Sequence, residues 1–172
     1  MGSNREGLSL FNNLLILPSP LLIGNPLLFA DGLFIYGTLR EGGRFRTWLE
    51  RTGPEGWTRA HAPGRLFHLP DEGYPAMVAG VEPGAGPPGP GWVTGDFVGY
   101  AGDRELEQAL ADLDALEDVE GGLYERRILP VTLENGHRYG AWVYLFPEDR
   151  LPTLEKRAVE LESGDWQAYL EG

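Results

Sequence analysis

Cysteine is absent from this 172-residue chain. Disulfides, thiolate metal sites and a cysteine nucleophile are thereby excluded. A chain without thiols suits a reducing compartment, so a cytoplasmic location is expected. Serine occurs only at Ser3, Ser9, Ser19 and Ser163, and none of them stands in a G-x-S-x-G elbow, which argues against a serine hydrolase of that type. The histidines, His61, His68 and His137, show no H-E-x-x-H or other ligand spacing, and no metal site is expected. His61 and His68 are an odd number of residues apart, which puts them on opposite faces of a regular strand; both read as structural or surface residues. No G-x-x-x-x-G-K-[ST] occurs, and no G-x-G-x-x-G opens a helix after a strand, so nucleotide binding has no support and no cofactor is expected. Positive charge is in the minority. A formal net charge of -12 disfavours nucleic acid and anionic membrane surfaces as partners. It leaves room for a small anionic ligand, which feels local donors more than net charge.

The chain also lacks an unbroken apolar run. Leu8 to Ala30 is apolar, but Asn12, Asn13, Pro18, Pro20, Asn25 and Pro26 interrupt it. A membrane helix needs about 20 mostly apolar residues without such breaks. A signal peptide needs a basic start, whereas Arg5 is offset by Glu6. Residues 1–31 are therefore expected to be an appendage outside the fold, and residues 32–172 one domain. A packed accessory arm is the alternative.

What is present is enough for a core, with 42% hydrophobic and 11% aromatic residues. Twenty-five glycines and fourteen prolines point to many turns and strands. Leu33 to Tyr36 reads as a buried strand ending at Gly37. Phe45, Trp48 and Leu49 have the spacing of a short helix. The stretch 56–69 reads as a strand pair or one strand bent at Pro63-Gly64, and 74–80 as another strand. Gly80 to Gly91 is too rich in Pro and Gly for regular structure and reads as a connection, with a lid over a site as the alternative. Trp92 to Tyr100 reads as a strand. A helix follows with Asp103 as N-cap and Leu106, Ala109, Leu110, Leu113 and Leu116 on one face. Two β-rich runs flank Asn135-Gly136, the favoured pair of a two-residue hairpin. The segment 153–161 is ambiguous between helix and strand. Ser163 is expected to cap a last short helix. The order implies an α+β fold, with a mixed, largely antiparallel sheet curled into a partial barrel and a few flanking helices.

Two places carry chemistry. Glu117 lies four, seven and eleven residues after Leu113, Leu110 and Leu106, on the same stripe as the leucines. A carboxyl on a core-facing stripe near a helix C-terminus is pushed toward its neutral form by burial and by the helix dipole. Such a group suits general acid-base work. The alternative is a helix-end glutamate in solvent, or one paired with Arg126 or Arg127. Asp112, Asp114 and Asp118 lie off the stripe and read as solvated. The second place is Tyr36-Gly37-Thr38-Leu39. The amides of Gly37, Thr38 and Leu39 can form an anion-binding nest if Gly37 supplies unusual dihedrals; a plain turn is the alternative.

These two places occur together in one family. Tyr36-Gly37-Thr38-Leu39 resembles the YG[ST]L loop of the gamma-glutamylcyclotransferase-like family. "GRLFHL" and "GYPAM" resemble its next strand and Tyr-Pro turn. "LDALED" resembles its segment with the acid-base glutamate, which falls on Glu117. "LYERR", "AWVY" and "SGDWQAY" resemble later segments, and the match runs from about Leu33 to Leu170. Where the family usually has glycine after the glutamate, this chain has Asp118. The resemblance implies cofactor-independent release of 5-oxoproline and an amine from a γ-glutamyl substrate, in which Glu117 acts as acid-base. It also implies that Tyr36, Gly37, Thr38, Leu39, Arg40, Tyr74, Tyr124 and Arg126 bind the substrate. A non-catalytic member of the same fold, binding a small ligand or a partner, is the alternative.

Overall fold

In β1 (Gly32–Ile35) every residue is buried, which explains why it reads as a continuous apolar run. It is the first element of a computed structural model that describes residues 30–172 apart from 84 and 85. The appendage expected at residues 1–31 lies almost wholly outside the described residues. β1 pairs antiparallel with β4 (Trp92–Gly99) and parallel with β6 (Arg138–Leu145). β6 pairs with β5 (Glu125–Leu133), and β5 meets β2 (Gly56–Leu69) at Ala60 and His61. Because β2 also pairs with β4, the strands β2-β4-β1-β6-β5 close into a five-stranded barrel.

The stretch 56–69 is one strand that changes partners at Pro63-Gly64. Before that point it belongs to the barrel. After it, β2 pairs with β3 (Tyr74–Ala79) on one side and with β7 (Val159–Glu160) on the other. Gly64 is needed here, because a Cβ would lie 2.6 Å from the Met77 side chain and 2.7 Å from the Val78 carbonyl.

Period-two alternation sorts β1 between two cores. Phe34 and Tyr36 point into the barrel with Ala60, Val93, Val131 and Val143, while Leu33 and Ile35 face outward. The outward face is covered by α2 (Asp103–Leu116), whose Leu106, Ala109, Leu110 and Leu113 are buried as the helical stripe requires, whereas Leu116, expected on the same face, is exposed at the helix end. Short helices α1 (Arg46–Glu50), α3 (Leu151–Arg157) and α4 (Trp166–Glu171) complete the element order. The ambiguous segment 153–161 is thus both helix and strand.

Three local expectations change. The N-cap of α2 is Gly102, and Asp103 is the first helical residue, where its charge favours the dipole. The N-cap of α4 is Asp165, which accepts from the amides of Gln167 and Ala168, while Ser163 Oγ accepts only from the Asp165 amide. The β5–β6 loop has three residues rather than two. The Gly136 amide donates to the Leu133 carbonyl, the Leu133 amide to the His137 carbonyl, and Gly136 alone takes the left-handed conformation, at φ 84°. That is a type I turn closed by a glycine bulge, so Asn135-Gly136 specifies the neighbouring hairpin class.

Candidate active site

The barrel opens at the end where β1 stops. A cavity of about 300 Å³ lies there, and Tyr36, Gly37, Thr38 and Leu39 line it together with Glu117. The two places singled out in the sequence therefore face one space. Tyr74 and Tyr124, also expected at the substrate, line it too, and so does Pro75.

Glu117 is the C-cap of α2, its amide bonded to the Leu113 carbonyl at 2.8 Å. The next residue, Asp118, has φ 50°, and the Val119 amide returns to the Asp114 carbonyl. This is a Schellman ending with aspartate at the left-handed position that glycine usually fills. It turns the chain away immediately after Glu117 and leaves that side chain at the cavity wall. The Glu117 carboxyl is half-buried and has no hydrogen-bond or ion-pair partner among the described residues. Loss of solvent pushes its pKa up to about 7. Pairing with Arg126 or Arg127 does not occur. Arg126 binds Asp114 at 2.9 Å, and Arg127 lies near Glu125 and Glu148.

The phenols around Glu117 are held by backbone oxygens. Tyr36 Oη donates to the Tyr144 carbonyl at 2.7 Å and Tyr124 Oη to the Pro75 carbonyl at 3.2 Å. Burial raises the pKa of both, and the nearby Glu117 adds to the shift. Burial also raises that of Tyr74. The three rings therefore stay neutral and supply shape, leaving Glu117 as the group poised to exchange a proton near neutrality.

Elsewhere in the lining, no backbone oxygen among the described residues accepts from the amides of Gly37, Thr38 or Leu39. Three free donors in succession suit an anion. The reason for glycine at 37 differs from the expectation, since its φ is not positive. A Cβ there would lie 2.8 Å from Pro75 Cγ, so glycine is required by close approach.

Neither Arg40 nor Arg126, both expected at the substrate, lines this cavity. Arg40 is 3% exposed and bound to Asp96 and Asp165. Arg126 stacks over Trp142 while it holds Asp114. Asp114 is not the solvated residue expected; it also accepts from Tyr144 Oη at 2.7 Å. The Gly80–Gly91 loop does not reach the cavity through its described residues. Its Glu82 pairs with Arg138, at the far end of β6 from Tyr144.

Sequence reasoning missed Phe34, Ile35, Arg44, Phe45, Leu116, Leu123 and Tyr144 in the lining. Leu116 and Leu123 flank the turn after Glu117, and their proximity to it was the one available signal. Tyr144 comes from a strand distant in sequence, and its one signal was its place in the segment "AWVY". His61 and His68 are structural. His61 Nδ1 meets Thr94 Oγ1 at 3.3 Å, and His68 Nδ1 accepts from Trp166 Nε1 at 3.1 Å. Among the described residues no three His, Asp or Glu side chains group as a metal site, and no helix is long and apolar enough to cross a membrane.

Residues 33–168 match the family model described as gamma-glutamyl cyclotransferase, AIG2-like. No protein in a search of curated proteins matches the chain. Among solved structures, YkqA from Bacillus subtilis is similar over 82% of this chain and 41% of its own, at 20% identity and a TM-score of 0.55. Allophanate hydrolase from Kluyveromyces lactis is similar over 84% of this chain and 21% of its own, at 14% identity and a TM-score of 0.54. An aig2-like protein from Mus musculus covers 71% of this chain and 82% of its own, at 22% identity and a TM-score of 0.48. The chain thus spans about two-fifths of the Bacillus protein and a fifth of the yeast hydrolase. At these identities the likeness to those two structures concerns the fold.

Proposed function

The chain belongs to the gamma-glutamyl cyclotransferase, AIG2-like family, and from that premise we propose that it releases 5-oxoproline and a free amine from a γ-glutamyl amine or peptide. The observation that carries this reading is an unpaired, half-buried Glu117 carboxyl that lines one cavity together with the turn whose Gly37 to Leu39 amides are free of partners among the described residues.

In this mechanism the substrate attacks itself. Its α-amine nitrogen forms a bond to its own γ-carbonyl carbon, and the bond from that carbon to the leaving nitrogen breaks. The nucleophile and electrophile belong to one molecule, so holding the glutamyl chain folded supplies much of the rate. The turn amides hold the glutamyl end. The Glu117 carboxylate takes a proton from the attacking nitrogen and returns it to the leaving nitrogen, so no proton is consumed. A pKa of about 7 matches both halves of that task at neutral pH. Neither the family nor the cavity names the leaving amine. A chain without cysteine is compatible with the cytoplasm, where we place the reaction.

The test is to incubate the protein with γ-glutamyl amines, γ-glutamyl dipeptides and glutathione and to measure 5-oxoproline. Release from at least one, abolished in Glu117→Gln, supports the reading. Release from none, with small-ligand binding retained, points instead to a non-catalytic member of the family.

A further inference from the structure

The turn that lines the cavity has open space on both sides. Gly37 borders the cavity described above and also a second one of about 380 Å³, whose other walls include Glu41, Trp166, Gln167 and Leu170. Apolar packing holds the turn at Leu39, which is buried in the core, but leaves Gly37 with open space on two sides. Its own bonds close it locally, the Arg40 amide to the Gly37 carbonyl and the Phe45 amide to the Thr38 carbonyl. Beyond these and the buried Leu39, the polar anchor is Arg40. Its guanidinium donates to Asp165 Oδ1 at 3.1 Å and lies 3.4 Å from Asp96 Oδ2. Asp165 also caps α4 and accepts from Arg59 at 3.0 Å, and Gln167 on α4 donates to the Glu41 carbonyl. The cluster sets two arginines, Arg40 and Arg59, against three carboxylates, Asp96, Asp165 and Glu134.

We propose that Arg40 is a positioning residue: with Asp96 and Asp165 it clamps the turn to β4 and α4, and so holds the amides of Gly37, Thr38 and Leu39 in their binding geometry. This rests on the reading of the cavity as a γ-glutamyl site. Stability alone is a poor account of the cluster. Buried ion pairs seldom stabilise a fold more than apolar residues would, and Arg40 Nε is buried with no hydrogen bond. A planar fork gripping two carboxylates fixes direction as well as distance.

Asp165→Asn is the informative variant, since asparagine caps a helix as well as aspartate and keeps α4 in place. Arg40→Lys keeps the charge and removes the fork. Arg65→Gln, which breaks surface pairs with Glu155 and Glu160, is the control for ion-pair loss outside the site. In both clamp variants KM and the inhibition constant of 5-oxoproline should rise together about tenfold, with kcat within roughly threefold, the signature of lost uniform binding. Independently of turnover, 15N relaxation should show order parameters of the Gly37–Leu39 amides falling from about 0.85 to below about 0.6. The control should change neither. Clamp variants that keep ordered amides and parent 5-oxoproline binding while losing only thermal stability would overturn the proposal. Absence of 5-oxoproline release from every substrate would instead remove the cyclotransferase reading, and the relaxation measurement would still decide whether the clamp orders the turn.

Discussion

Replacing Glu117 by Gln separates chemistry from packing, because the two effects have opposite signs. The carboxyl is raised from 4.5 to about 7 by burial alone. A folded-state pKa above the unfolded one means that the charged form is penalised in the fold. Below pH 4.5 the group is neutral in both states and there is no penalty. The penalty grows as pH rises from 4.5 to 7 and is complete above 7, where it amounts to about 3 kcal/mol. Glutamine is neutral throughout, so its stability relative to the parent should increase by about 2.5 kcal/mol between pH 5 and pH 8. For a chain of this size that corresponds to roughly 5–10 °C in Tm. Turnover should move the other way, falling roughly 10²- to 10⁴-fold through loss of the acid-base group. The parent should gain activity as pH rises through about 7, where the carboxylate forms, and the variant's residual rate should lack that limb. Thermal unfolding at the two pH values and a 5-oxoproline assay across the range measure both. A stability difference that does not grow from pH 5 to pH 8, or a variant within a few-fold of the parent rate, would refute the reasoning.

Gly37→Ala places a Cβ against Pro75 and should raise KM about 10- to 100-fold with the fold intact; steady-state kinetics with parallel circular dichroism check it. Asp118→Gly should stabilise the protein by about 0.5–1 kcal/mol, because glycine takes positive φ without strain, and leave the rate unchanged; urea unfolding measures the gain. A chain beginning at Ala30 should fold and keep its activity, since β1 and the family match both begin after that residue. Insolubility, or a Tm lower by many degrees, would make the preceding residues part of the core.

Legibility in the sequence followed the range of the interactions. The leucine stripe of α2 and the all-apolar β1 are local patterns with one solution each, and both were readable. Helical spacing offered Glu117 as a core-side residue but left a solvated or ion-paired helix end open as the alternative. Barrel closure was not readable, because it depends on two residue pairs between β2 and β5, some 70 positions apart. The ionic partners were likewise hidden. Arg40 reads as part of the substrate loop by position, yet its carboxylates come from residues 96 and 165. Asp114 lies off the apolar stripe and reads as solvated, whereas β5 and β6 bring Arg126 and Tyr144 against it. Charged side chains are long, and which opposite charge they meet is decided by topology rather than by spacing.

The end of α2 gathers features that a helix built for stability would avoid. It has no basic residue in its last turn to oppose the dipole, an aspartate in the left-handed position after the cap, and a carboxyl losing solvent at the cap itself. The first two leave Glu117 without a neighbouring cation from its own helix and turn the chain so that the cavity wall is where its side chain ends. Asp114 completes the arrangement. By holding Arg126 at 2.9 Å and Tyr144 Oη at 2.7 Å, it ties the last turn of α2 to β5 and β6. The buried leucines one, two and three turns back anchor the helix strongly enough to carry these costs. Local rules are thus broken within a few residues of each other, around one carboxyl that is unpaired and protonatable at neutral pH.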